Sequence, residues 1–256
     1  MSVRFDTEGA VAIVTIDRPD RRNAVDAPTA AGMVEAFRRF DADQAVAVAI
    51  LTGAGGTFCA GADLKSIAEG DGLNVAEEGD GPMGPTRMSL GKPVIAAIEG
   101  HAVAGGLELA LWCDLRVAAR DAVLGMFNRR FGVPLIDLGT VRLPRLIGQS
   151  RALDLVLTGR PVPAEEAFSM GLVNRLTESG QALTGALELA RQLVAFPQAG
   201  LRNDRLSLIG QWGMSEGEAM RNEFRGGLDT LASGESGEGA ARFAAGEGRH
   251  GEAGQT

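Results

Sequence analysis

The chain predicts an α/β fold, and three observations carry that prediction. Short β-branched runs of strand length, at residues 11–16, 46–51 and 94–98, alternate with segments whose apolar residues fall at helical spacing. Glycine-rich turns separate the two kinds of segment, at Gly53, Gly55, Gly56 and Gly61 and again at Gly100, Gly105 and Gly106. With 256 residues the chain is long enough to bury a substantial core, which favours one large α/β domain over two small ones.

Taken in order, residues 3–5 and 11–16 flank Thr7, Glu8 and Gly9 as a β-hairpin, which Arg18 and Pro19 end. Asp26 offers an N-cap with Pro28 in the first turn, and Met33, Ala36, Phe37 and Phe40 follow on one helical face. The buried strand at 46–51 runs into TGAGGTFCAGADLKSI, where glycines hold the backbone open and Asp63 can cap the next helix. Gly53 and Gly55 do not make a dinucleotide fingerprint, because Phe58 stands where the third glycine belongs and no strand ending in an acid follows about 20 residues on. Residues 69–86 are acidic and glycine-rich with Pro82 and Pro85, an excursion short of the apolar content needed to pack tightly. Helical patterns at 149–157, 164–170 and 182–196, short strands at 122–125 and 172–176, and further helix to about Leu231 make the second half mostly helical. After Ser233 the chain turns to Gly, Glu and Ala around one apolar patch, Ala240, Ala241, Phe243 and Ala244.

Composition removes several function classes. A net charge of −8 leaves no basic stripe for nucleic acid, so an anionic ligand has to be held locally. Cys59 and Cys113 are the only cysteines and lack metal-ligand spacing; neither a disulfide framework nor a metal site is expected, and Cys59 reads as a small buried hydrophobe. The start MSVRFDTEGA lacks a signal-peptide pattern, and no run of about 18 apolar residues occurs, which points to the cytoplasm and no membrane partner.

The chemistry concentrates in PVIAAIEGHAVAGGLELALWCDLRVAA, residues 93–119. A strand stops at Gly100, and Gly105 and Gly106 open a helix through Leu107, Leu109, Ala110 and Leu111. Such an end leaves backbone N–H groups free with nothing larger than hydrogen beside them, and can hold an anion. Glu108 lies three residues after Gly105, on the same face of the first turn. One reading pairs an acid or base with an oxyanion donor; the other has the glycines allowing close packing while Glu108 complements the helix dipole. His101, beside the turn, reads as structural.

Three motifs, TFCAGADLK at 57–65, KPVIAAIEGHAVAGGLELALWCDLRVA from Lys92 and LTGRPVPAEEAFSMGLVNRL from Leu157, make the chain similar to the crotonase superfamily, also called the enoyl-CoA hydratase/isomerase family. The resemblance spans roughly residues 3–243 and implies a spiral of ββα units. It implies a catalytic core at 1–196 and a helical C-terminal region at 197–245 that forms homotrimers or dimers of trimers, while the polar composition of 246–256 reads as a disordered tail. An acyl-CoA thioester is then the expected substrate, with CoA part of the substrate and no separate cofactor. By resemblance, the N–H groups of Ala62 and Gly105 hold the thioester oxygen, and Arg22, Ala24, Ala60, Gly61, Asp63, Leu64 and Gly106 bind substrate. Arg22, in RPDRRNAV, is either a phosphate contact or one solvated charge of a basic run.

The chain departs from the family pattern at one position. Hydratases of the family flank the attacking water with two glutamates, at the positions of Glu108 and of Asn128 in GMFNRRFG. An amide orients a water or a carbonyl but does not exchange a proton at ordinary pH. Asp137, in GVPLIDLGT, is either a second acid or an N-cap ahead of Gly139, Thr140 and Val141, and Arg129 and Arg130 would hold it ionised if the loop folds back. Glu108, Asn128 and Asp137 are therefore the catalytic candidates. Syn-hydration of a 2-enoyl-CoA is the expected reaction, with enoyl- or dienoyl-CoA double-bond isomerisation and non-catalytic acyl-CoA binding as the alternatives.

Overall fold

In the computed structural model, which describes residues 2–247, β1 (Val3–Glu8) and β2 (Val11–Ile16) form the expected antiparallel hairpin. Helix α1 (Ala27–Ala42) starts where Asp26 accepts from Thr29 N at 3.0 Å, and it buries Met33, Ala36, Phe37 and Phe40. β3 (Val48–Gly53) leads through the glycine loop to the short α2 (Leu64–Ala68), capped by Asp63 through Lys65 N and Ser66 N. Next come β4 (Val94–Ile98), β5 (His101–Val103) and α3 (Gly105–Trp112), then β6 (Leu115–Ala119) and β7 (Val123–Gly125). After α4 (Gly139–Ile147) and α5 (Gln149–Thr158), a two-residue β8 (Val162–Pro163), α6 (Ala164–Ser169), β9 (Arg175–Thr177) and α7 (Ala182–Ala195) follow.

Two sheets result. The larger runs β1-β2-β3-β4-β6-β9 and is parallel beyond the first hairpin; the smaller runs β5-β7-β8. Successive units send one strand to each sheet, β4 then β5, β6 then β7, which is the ββα spiral expected. Parallel strands need both faces covered, and β4, VIAAI, is accordingly buried on all five residues. Lys92 enters this interior by donating Nζ to Phe40 O at 2.8 Å and Asp43 O at 2.6 Å.

Four features differ from the sequence expectation. β5 and β8 are too short to leave a periodic signal, and β9 begins three residues later than the start of the predicted 172–176 run, overlapping its end. Pro82, Met83, Gly84, Pro85 and Thr86, placed in an unpacked excursion, are buried, with Met83 1% exposed. Local composition missed this because the partners of the segment lie 51–54 residues away, at Asp137.

The chain divides into two compact units between Arg191 and Gln192. In the second, α8 (Gln198–Gly210), α9 (Glu216–Ala232) and α10 (Glu235–Ala245) pack in sequence, and Glu235 takes the N–H groups of Gln198, Ala199 and Gly200. Gly246 closes α10 in the left-handed region, and residues 248–256 of the expected tail lie outside the described residues.

The start of α3 is fixed by backbone-on-backbone contact. A Cβ on Gly106 would sit 2.1 Å from Cys59 O, whose carbonyl cannot swing away because it accepts Val103 N at 3.1 Å. Gly106→Ala should therefore lower the stability measured by urea unfolding by roughly 1–3 kcal/mol; an unchanged midpoint would mean that the contact yields.

Candidate active site

Main-chain geometry builds the first half of the site. Ala62 forms an isolated parallel bridge with Val25, using Gly61 O as acceptor of Val25 N and Asp63 N as donor to Val25 O, both 2.8 Å. Strand groups alternate in direction, so Ala62 N–H points away from Val25 and meets no acceptor among the described residues. Gly105 N, first in α3, is equally uncapped, since the N-cap residue Ala104 has no side-chain oxygen. Gly61 brings the two donors together: a Cβ there would stand 3.1 Å from Gly105 N and 3.0 Å from Ala104 Cβ, and its φ of +98° suits glycine. Ala104 itself has φ +53° and ψ −128°, an unfavourable conformation for a residue with a Cβ, held by Ala104 N donating to Gly125 O at 2.8 Å.

Glu108 supplies the second half. It is 1% exposed, and its Oε1 accepts Asp137 N at 3.1 Å and Gly139 N at 2.9 Å. Both N–H groups reach one oxygen because Leu138 between them adopts a left-handed conformation, φ +66° and ψ +18°. Oε2 has no protein donor among the described residues. Burial pushes the carboxyl up to about 7, Asp137 adds to the rise, and the two backbone N–H groups and Arg142 oppose it.

Asp137 is not a helix cap, which corrects one of its two sequence readings. Its Oδ1 accepts Met83 N at 3.0 Å and the Thr86 hydroxyl, tying the buried 82–86 segment to the start of α4, whose N-cap is Leu138. Nor do the neighbouring arginines face it: Arg129 is exposed, while Arg130 stacks over Phe127 at 3.5 Å and donates to Gly159 O. The cation here is Arg142, which donates to Asp137 O at 3.3 Å and Thr86 O at 2.7 Å. Arg142 was missed because only the fold-back of 137–142 onto Thr86 brings it in.

A cavity of about 610 Å³ joins these groups and is lined by Ala62, Gly105, Glu108, Asn128 and Asp137. Arg22, Ala24, Ala60 and Leu64 also line it, with Arg22 exposed. Gly61, Asp63 and Gly106 do not line it. The Asp63 carboxylate pairs with Arg18 at 3.0 Å and caps α2, and Gly61 and Gly106 lie behind the wall as the places where backbones touch. Cys59 is fully buried, and burial pushes its thiol up to about 12, as suits a packing residue. No group of three or more metal-ligating side chains occurs among the described residues.

Comparison with known proteins finds relatives along most of the chain. A profile for the enoyl-CoA hydratase/isomerase family matches residues 6–245. Enoyl-CoA hydratase EchA19 of Mycobacterium tuberculosis is 38% identical over 93% of this chain and 92% of its own length. The carnitinyl-CoA dehydratase of Salmonella arizonae is 42% identical over 75% of this chain and 74% of its own. In three dimensions, enoyl-CoA hydratase EchA1 from Mycobacterium marinum superposes with a TM-score of 0.90 at 37% identity, covering 95% of both chains. The profile spans both units and these likenesses run along most of the chain, so the protein belongs to the enoyl-CoA hydratase/isomerase family, the crotonase superfamily.

Proposed function

We propose that the protein hydrates 2-enoyl-CoA thioesters by syn addition, with Glu108 as the one proton-exchanging group. The observation that carries this reading is a nearly dry carboxyl, pushed up to about 7, in the same cavity as two uncommitted N–H groups. With the thioester oxygen accepting from Ala62 and Gly105, addition of water at Cβ moves charge onto that oxygen as an enolate. Donors already fixed in place stabilise the enolate more than the neutral carbonyl, and one such donor is worth about 10²–10³ in rate.

Glu108 receives the water proton at Oε2, since Oε1 is occupied by Asp137 N and Gly139 N. It then returns the proton to Cα on the same face, so hydroxyl and hydrogen add to one side and the carboxyl ends as it began. A group with a pKa near neutrality gives and takes a proton with similar ease, which suits one acid in both roles. In this reading Asp137 braces the wall, its Oδ1 accepting from Met83 and Thr86, while Glu108 alone exchanges the proton. Arg22 at the rim is placed to meet CoA phosphates, and Ala24, Ala60 and Leu64 form the wall along which the thioester lies. No cofactor enters this chemistry.

The same reading extends to assembly and location. Helices α8–α10 contain no buried residue, and Leu208, Trp212, Phe224 and Leu231 are each more than half exposed, a surface suited to copies of this chain in a homotrimer or a dimer of trimers. Among the described residues no helix is long and apolar enough to cross a membrane, and the cytoplasm is the proposed compartment. Light scattering should give at least three chains per particle; a monomer would remove the assembly reading.

Incubation with crotonyl-CoA should abolish the conjugated thioester absorbance and yield 3-hydroxybutyryl-CoA by mass spectrometry. Glu108→Gln should keep the fold and CoA-ester affinity while turnover falls by ~10² or more. A positional isomer without uptake of water would establish isomerisation instead, and tight binding without turnover would make the native chain a binder.

Because hydration needs ionised Glu108, kcat/KM should fall as pH drops through about 7. The charge of Asp137 raises Glu108, so Asp137→Asn should move this acid limb to lower pH with kcat changed only a few-fold, asparagine still accepting from Met83 and Thr86. A fall in kcat of ~10² with an unmoved limb would make Asp137 the second acid after all.

A further inference from the structure

One nitrogen ties the start of α1 to the start of α2. Arg18 Nη2 meets Asp26 Oδ2 at 2.8 Å and Asp63 Oδ2 at 3.0 Å, and the three side chains are only 16%, 20% and 5% exposed. The other oxygen of each carboxylate is a helix cap: Asp26 Oδ1 accepts Thr29 N, and Asp63 Oδ1 accepts Lys65 N and Ser66 N. Arg18 Nη1 donates to Ala24 O, and the Arg18 main chain is pinned to the fully buried Asn23, its N donating to Oδ1 and its O accepting Asn23 N, both at 2.9 Å. Asp26 and Asp63 directly follow Val25 and Ala62, the two partners of the isolated bridge. No regular strand holds that bridge, so the guanidinium clamps it from the side.

We propose that Arg18 is a positioning residue for the reaction, fixing the aim of the Ala62 N–H by clamping Asp26 and Asp63 on the two sides of the Val25–Ala62 bridge. The inference rests on the acyl-CoA reading above, which puts the thioester oxygen between Ala62 N and Gly105 N. Gly61 O and Ala62 N belong to one trans peptide and point in opposite directions. Val25 N, by holding Gly61 O at 2.8 Å, therefore sets where the Ala62 N–H points. Gly61, with φ +98° and no side chain, is a hinge at which this peptide turns cheaply once the bridge loosens. Without the guanidinium, two carboxylates that shared one nitrogen face each other, and like charges drive the two segments apart. Arg18 does not line the cavity, so it acts on the substrate only through this peptide.

The test reads that aim with 4-dimethylaminobenzoyl-CoA, a thioester with no alkene to hydrate, whose absorption moves to longer wavelength when donors polarise its carbonyl oxygen. Saturation of the native protein should produce this shift. Arg18→Met should lose at least half of it, and kcat for crotonyl-CoA should fall about tenfold, part of the ~10²–10³ that a whole oxyanion donor is worth. Arg18→Lys, whose ammonium still reaches both Oδ2 atoms, should keep most of the shift. Asp63→Asn separates the clamp from the cap: asparagine caps α2 with its oxygen and turns its NH2 towards Arg18, so the melting temperature should change little while the shift falls as in Arg18→Met. A full shift at saturation in Arg18→Met, whatever its melting temperature, or in Asp63→Asn, would overturn the inference, and Asp63→Asn decides alone if the methionine variant does not fold. A native protein that binds the probe without any shift would instead defeat the oxyanion reading on which the inference stands.

Discussion

Glu108 sits in an almost dry wall, and what makes an ionisable group tolerable there is the pair of N–H groups that Leu138 turns towards one of its oxygens. Two backbone donors on Oε1 offset part of the burial cost and leave the other oxygen as the reactive one. They also tie α3 to the start of α4, because a Cβ on Gly139 would fall 2.7 Å from Oε1. Asp137 then carries the tie outward through Met83 and Thr86, and Arg142 closes the circuit between Asp137 O and Thr86 O. A single side chain is thus held by a ring of segments distant in sequence, each of which forms a wall of the cavity.

The oxyanion donors obey a different constraint, absence of side-chain volume. Gly61 and Gly106 allow two main chains to approach until only hydrogen fits between them, while Gly105 leaves room for the Met83 side chain, whose Sδ lies 2.8 Å from where a Cβ on Gly105 would be. Because the contacts are backbone to backbone on one side, the closeness of the donors is set by the main chain and not by adjustable side chains. Parallel strands on either side of the break hold that approach in register, Cys59 pairing with Ala102 and Val25 with Ala62.

Much of the fold could be read in advance wherever the signal was local. The cap at Asp26, the apolar face from Met33 to Phe40, the run at 94–98 and the glycines before Glu108 each carry their meaning within one helical turn or one strand. What escaped was non-local. β5 and β8 exist only because a second sheet offers partners, and the burial of Met83 and Thr86 depends on Asp137. For the same reason Asp137 could be singled out as an acid candidate but not assigned its partners at Met83 and Thr86, and Arg142 carried no motif at all. Asp63 has sequence neighbours that line the cavity, while its own carboxylate faces Arg18.

Ala104 carries one further consequence. With φ at +53° and ψ at −128°, it occupies a region that glycine would enter at no steric cost, yet the chain places a methyl group there, 3.0 Å from the position a Cβ on Gly61 would take. Glycine at 104 would relieve that tension and at the same time let the peptide carrying Gly105 N swing. Thermal robustness and turnover therefore pull in opposite directions at this residue: selection for heat resistance alone would loosen the donor that the reaction needs, so an engineering campaign scored only on melting temperature would drift away from activity here first.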